Sequence, residues 1–549
     1  MKRILIALCA STIIGNASAE ALLTMHIEEQ TSWVRNFNPF DAAGRRQSTL
    51  DFIYEPLVIF NAYDNGKPIY RLATAYKFSD DLKSVTYTIR DGVKWSDGQP
   101  LTAKDVKFTF DLMMKNPSID IVGVGAAVQS VELPAPNQVK VNLKDVDSQF
   151  PESLADFTVV PEHVWKGVGD PFAYKNENPV GSGPMTEIRR FTPQVYEQCR
   201  NPNYWDAEHL KVDCLKLPQI SGNDQMLATL PEGNMDWFGS FLPEIEKTYV
   251  SLDPKHNGYW QPSANTVSFE MNLKTTNPGN KAAFDDIKFR QAVSLLMDRK
   301  SMVDIAGFGY PQVNPHATGL PLHFDNWANP QAQQGQDAWM GYDVDKANKL
   351  LDEAGYAKGA DGFRKTPKGE PIAFTVAVPN GWTDWIDAVQ IGVEGLRKAG
   401  INASVATPEY EQWNKQIVEG NYDTVFQSRP DGPTPFRAYY QTLATPFVGR
   451  SSFAASRYSN ADLDKLFEDY KRASKDADFR AIFGKIQLHI ADNFPMVPLF
   501  NGPTWYQYSS KRFTGWVTKD DPAMNPENHD DNRIRLMHLL RLKPVANAD

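Results

Sequence analysis

No Pro-, Gly- or Ser-rich linker long enough to part independent domains interrupts this 549-residue chain, and it carries no low-complexity tract or fixed-period repeat. A single core usually holds about 250–300 residues. The apolar residues must therefore be shared between two or more lobes that stay tightly joined. Early in the chain the hydrophobic period is two. Residues 84–90 set Val85, Tyr87 and Ile89 on one face, and 138–143 alternate in the same way. Between them Thr102-Ala103-Lys104-Asp105 reads as a capping box opening a helix with Val106, Phe108, Phe110 and Met113 on its apolar side. Later the pattern predicts helices over 289–299, 343–354 and 385–399, the last two stopped by Gly355 and Gly400. Strands are predicted over 374–378, 403–406 and 424–427. Strand–helix–strand alternation implies an α/β lobe.

The first residues run Lys2-Arg3, an apolar stretch from Ile4 to Ile14, then Ala17-Ser18-Ala19, which reads as a cleavable secretory leader over 1–19. The stretch is shorter than the roughly 20 apolar residues that span a bilayer. A soluble, exported product starting near Glu20 is expected, and Leu8 before Cys9 departs from a lipoprotein signal, which wants a small residue there. Loss of Cys9 leaves Cys199 and Cys214, for which a disulfide is the default in an oxidising compartment. In the chain-entropy model it contributes about 3 kcal/mol. Loss of Lys2 and Arg3 reduces the 57 basic residues to 55 against 67 acidic ones, which argues against nucleic acid or an anionic membrane as the main partner.

Several segments then become recognisable. Arg90-Asp91-Gly92-Val93-Lys94-Trp95-Ser96-Asp97-Gly98 with Leu101-Thr102-Ala103-Lys104-Asp105-Val106 resembles the signature of peptide-type solute-binding proteins of ABC importers. Asn178 to Pro184, Phe289 to Val293 with Met297-Asp298-Arg299, Ala347 to Tyr356 and Phe494 to Leu499 agree in the same order. The resemblance implies a two-lobed periplasmic-binding-protein fold of α/β class, with an extra small domain inserted in the first lobe and a hinge of two strands near 268–273 and 500–506. It assigns 20–63, 180–270 and 505–549 to lobe I, 64–179 to the inserted domain and 271–504 to lobe II. It also implies a periplasmic receptor that delivers its ligand to permease subunits; a monomer without catalytic residue, cofactor or metal is expected, with a metal-chelate ligand left open because the same fold also serves nickel uptake. Within that family, Val34 to Phe40, Asp51 to Leu57, Asn201 to Asp206, Pro379 to Asp384 and Arg512 to Trp516 look most like binders of cellobiose- or chitobiose-type oligosaccharides.

That narrower resemblance agrees with the chemistry of sugars. Pyranose faces pack on flat aromatic rings, while their hydroxyls need fixed donors and acceptors, so a saccharide cleft wants Trp flanked by Asn, Asp and Arg. Trp382 follows the turn dipeptide Asn380-Gly381 at the end of a predicted strand, where α/β folds bind ligands. Trp516 is the expected opposing platform by resemblance. Arg35, Asn36 and Asn38 either bond ligand hydroxyls or shape their own loop. Asn223 is open to the same two readings, and Asp384 either meets sugar or caps a helix. Arg429 and Asp431 depart from the saccharide pattern, in which an aromatic lies near Pro430. They keep a peptide ligand open, with Asp431 able to pair with its amino terminus. No nucleophile elbow, His-Glu-x-x-His or phosphate loop is present, and the histidines lack metal-ligand spacing.

Overall fold

The structure is a computed structural model that describes residues 20–41, 46–64, 66–430, 432–528 and 533–546. The expected leader and Asp431 lie outside the described residues. Two lobes are each built on a sheet. In the first, strands run in the order Leu22–Thr24, Cys214–Pro218, Val195–Arg200 and Met185–Phe191. Cys199 and Cys214 are directly opposed on the two central strands and form the expected disulfide, with Cα atoms 4.0 Å apart.

A separate antiparallel sheet, in the order Ala73–Phe78, Ser84–Ile89, Gln138–Leu143, Val128–Ala135, carries the early period-two segments. Val85, Tyr87, Ile89, Val139 and Val141 are buried against the helix Ala103–Lys115. That helix opens as expected, with the Thr102 side chain accepting from the backbone and Asp105 returning the bond. This small sheet shares one continuous core with the first lobe. The motif segments explain the joint: Glu55 accepts from Arg71 at 2.7 Å and from the Trp205 indole at 2.8 Å, while Arg90 lies 4.1 Å over the Trp205 ring.

The second lobe holds a six-stranded mixed sheet in the order Gln312–Val313, Val497–Pro503, Ser263–Met271, Thr424–Ser428, Ala373–Ala377, Asn402–Ala406. The last three strands are parallel neighbours, connected through the helices Thr383–Lys398 and Tyr410–Glu419. Val267, Phe269 and Met271 point into one core with Phe289, Val293 and Leu296, as period two requires. A helical layer with its own core around Tyr439, Phe467 and Phe483 completes the lobe. The helix expected over 289–299 is two. The first, Ile287–Leu295, ends before Asp298, whose carboxylate caps the next turn through the amide of Ser301.

Among the described residues the chain crosses between lobes twice, side by side. Ser263–Met271 pairs with Val497–Pro503 in the second lobe, and the same two runs continue into Asn257–Tyr259 and Gln507–Ser509, paired in the first. Between them Trp260 donates to the Tyr506 carbonyl at 3.2 Å, and Thr504 donates to that of Pro262 at 2.7 Å. The first crossing is therefore near 260–262, earlier than the expected 268–273, because Ser268, Phe269 and Met271 are already committed to the second-lobe ladder.

Candidate ligand site between the lobes

The two lobes meet at an edge formed by Ser221–Asn223 of the first and Gly381–Asp384 of the second. The Asn223 amide donates to the Gly381 carbonyl at 3.2 Å, and its side chain donates to the Thr383 hydroxyl at 3.1 Å and to Asp384 at 3.5 Å. Glycine is required on both sides: a Cβ on Gly222 would lie 2.9 Å from the Gly381 Cα, and one on Gly381 would lie 2.8 Å from the Ser221 carbonyl oxygen. Gly381 also takes the left-handed φ of 85°. Asp384 sits in the first turn of the helix Thr383–Lys398 and faces the helix-start amides, in the direction of the capping reading. Burial pushes its carboxyl up to about 7 against the opposing effect of the helix-start amides and Asn223, and the charge of Glu29 pushes in the same direction as burial.

Behind this edge stands an aromatic cluster. Trp382 is half-buried, stacks on Tyr410 at 5.8 Å and meets Trp385 edge-on at 5.0 Å. Asn380 is exposed and donates to Glu409 at 3.0 Å within its own lobe.

A second meeting place is a cavity lined from the first lobe by Asn61, Glu152, Asn525 and Arg533, and from the second by Pro433 and Arg437. Asp156 sits between its two arginines, 2.9 Å from Arg437 and 3.6 Å from Arg533. Burial raises the Glu152 carboxyl to about 7, Arg437 pulling the other way. Near the crossings Tyr63 meets Trp260 edge-on at 5.9 Å. The sequence reading missed all of these, for the cavity draws on segments hundreds of positions apart with no local pattern. The aromatic residues flanking the two crossings, Trp260 and Trp505, were the available signal.

Other expected site residues serve the framework. Trp516 is only 6% exposed, donates its indole N–H to the carbonyls of Phe513 and Ser509, and packs against Tyr508, Trp237 and His538. It is a core residue and offers no open face, which corrects the expectation of an opposing platform. The Asn36 and Asn38 side chains accept from Asn38 and Phe40 amides two residues on, and donate to Asp41 and the Pro171 carbonyl, so the loop-shaping reading holds for both. Arg35 donates to the Glu177 carbonyl and to Asn178. Arg429 is buried inside the second lobe, 4.4 Å over the Tyr439 ring and donating to the Thr318 carbonyl at 3.1 Å. Its guanidinium meets partners within its own lobe, where the sequence reading kept it open for a peptide ligand. Among the described residues no group of three or more His, Cys, Asp or Glu is placed to hold a metal ion, and no helix is long and apolar enough to cross a membrane.

Comparison with known proteins places this architecture. Residues 67–449 match the model of the bacterial extracellular solute-binding proteins, family 5. The periplasmic oligopeptide-binding protein OppA of Haemophilus influenzae is 23% identical over 528 residues, covering 90% of each chain. An oligopeptide-transporter periplasmic binding protein of Thermotoga maritima, solved with mannohexaose bound, superposes with a TM-score of 0.86 at 24% identity, over 96% of this chain and 99% of that one. The oligopeptide-binding protein AppA of Bacillus subtilis, solved with a nonapeptide, gives a TM-score of 0.79 at 20% identity, again over 96% and 99%. The chain belongs to the family 5 bacterial extracellular solute-binding proteins, the solute receptors of ABC importers.

Proposed function

We propose that this receptor is exported to the periplasm and captures a small β-linked oligosaccharide, a disaccharide or longer, between its lobes before delivering it to permease subunits as a monomer. The observation that carries this reading is the pairing of a half-buried tryptophan with amide and carboxyl groups at one lobe edge, Trp382 beside Asn223 and Asp384. The separate inter-lobe cavity supplies further amides and carboxylates through Asn61, Asn525 and Glu152. Such a surface suits a ring with one apolar face and a rim of hydroxyls. The Thermotoga maritima relative, whose bound ligand is mannohexaose, supports it. Closing bends the chain at 260–262 and 504–506, and contacts made only when the lobes meet drive it. Transport leaves the sugar chemically unchanged.

A peptide ligand is the second reading, favoured by the charged cavity. Arg437, Arg533 and Glu152 provide partners for both termini of a peptide, and the Bacillus subtilis relative holds a nonapeptide. Tryptophan-fluorescence titration with cellobiose, chitobiose, mannohexaose and a dipeptide mixture separates the two. A shift with at least one sugar, recovered intact after incubation, is the expected result; a shift with peptides alone removes the saccharide reading.

A further inference from the structure

Residues 145–156 carry Asp145, Asp147, Glu152 and Asp156 with no basic residue among them. The segment follows the last strand of the small antiparallel sheet and is fixed to the first-lobe core through Phe150 and Leu154. Facing it across the cleft are three cations on two second-lobe helices: Arg437 on Pro435–Leu443, and Lys471 and Arg472 in the last turn of Ala461–Arg472. Their fit is specific. Arg472 donates to Asp145 at 2.6 Å and Arg437 to Asp156 at 2.9 Å, while the Ser148 amide donates to the Lys471 carbonyl at 2.8 Å. Lys471 is itself held by Tyr440 at 2.7 Å and Glu468 at 2.9 Å. The cations also sit at or near helix C-terminal carbonyls only in the case of Lys471 and Arg472, where the helix dipole favours them.

Because the small sheet shares the first lobe's core, it cannot follow the second lobe when the cleft opens, so these contacts exist only when the lobes are together. We propose that segment 145–156 is an electrostatic clasp that holds the cleft shut through Arg437, Lys471 and Arg472, adding to ligand contacts a bias toward closure set by ionic strength. Two observations give it weight beyond ordinary surface ion pairs. The Arg437–Asp156 pair is largely enclosed, with side-chain exposures of 18% and 30%, and a second pair, Arg472–Asp145, lies at the other end of the segment. Burial pushes Asp147 up to about 6 with Lys471 opposing, so its charge works against closure and the clasp is carried by the Asp145 and Asp156 pairs.

The inference rests on the two-lobe closing motion but not on the identity of the ligand, so its test uses none. Small-angle scattering of the ligand-free mature chain at about 20 mM and about 500 mM NaCl reads the compact fraction directly. The expected result is expansion at high salt, and expansion already at low salt in R437E/R472E, with the closed-to-open ratio lowered about tenfold. The charge-swapped D145R/R472D chain returns toward the compact form at low salt relative to R472D alone. Scattering that is the same at both salts and in every variant overturns the clasp, as does a swap that restores nothing. A sugar titration that fails while the scattering responds as expected would count against the saccharide reading alone.

Discussion

The edge at Gly222 and Gly381 and the edge at 145–156 join the same two lobes by opposite means. At the first, absent side chains let two backbones touch, and short polar groups of Asn223, Thr383 and Asp384 complete the contact. At the second, long cationic side chains reach across to carboxylates, from Arg472 to Asp145 and from Arg437 to Asp156. Backbone contact is short-ranged and unforgiving of volume, whereas charge contact is tolerant of position and screened by salt. One edge thus fixes how far the lobes close and the other biases whether they do. Substitutions at each should fail in different ways.

The largest effect belongs to a residue at neither edge and sets the baseline. Trp516→Ala removes a sealed indole and should lower folding stability by about 3–5 kcal/mol, read as a drop in denaturation midpoint, with the affinity of the folded fraction unchanged. A large loss of affinity without loss of stability would return Trp516 to the cleft. Next in size is Gly222→Val. Gly222 has an extended φ of 166°, which any residue adopts, so the backbone is not strained and the whole effect is the clash with Gly381. Forced spreading of this kind costs about 1–3 kcal/mol, and ligand affinity should fall about 10–100-fold while the melting temperature holds. An unchanged affinity would mean that the glycine edge does not open and close with ligand.

These two residues also mark what could be read from sequence. Patterns confined to one element were legible: the period-two strand around Val85, the capping box at Thr102 and the alternation that gives the second-lobe sheet. The disulfide followed from there being only two cysteines past the leader. The Asp298 cap that divides the helix over 289–299 was legible in principle, since Asp is a preferred N-cap residue and so a start signal in its own right. Trp516 was not, because its partners Trp237, Tyr508 and His538 come from separate segments, and a tryptophan beside glycine reads the same whether it faces a cleft or a core. Arg429 misled for the same reason. Its neighbours Tyr439 and Thr318 bury it from both sides in three dimensions only.

The glycine edge is sharpened further by Trp382→Ala. This half-buried ring packs on Tyr410, Trp385 and Trp413, so truncation should cost less stability than loss of Trp516 and act chiefly on ligand. Loss of an aromatic anchor weakens binding by about 1–3 kcal/mol, and isothermal titration with the ligand found by fluorescence should show about a 10–100-fold rise in Kd. Equal affinities for the variant and the parent would make Trp382 a packing residue, leaving the charged cavity as the whole of the site.

The smallest effect distinguishes the edges by pH. Burial at the glycine edge raises Asp384 from an ordinary 3.8 to about 7, so the closed form holds a proton that a water-exposed carboxyl has given up by about pH 5. Across that window closing takes up a proton, and closure therefore weakens as pH rises, by at most about tenfold per pH unit for one group. Asp384→Asn keeps an oxygen acceptor toward Asn223 and removes the titration. Affinity measured from pH 4.5 to 8 should fall with rising pH in the parent and fall less steeply in the variant. What slope remains belongs to the charged edge, where burial also raises Asp147 to about 6 and Glu152 to about 7. A further Glu152→Gln substitution should flatten it again. If the parent binds more tightly as pH rises, the carboxylate form of Asp384 is the one that closes the cleft, and its acceptor oxygens face ligand rather than the neighbouring lobe.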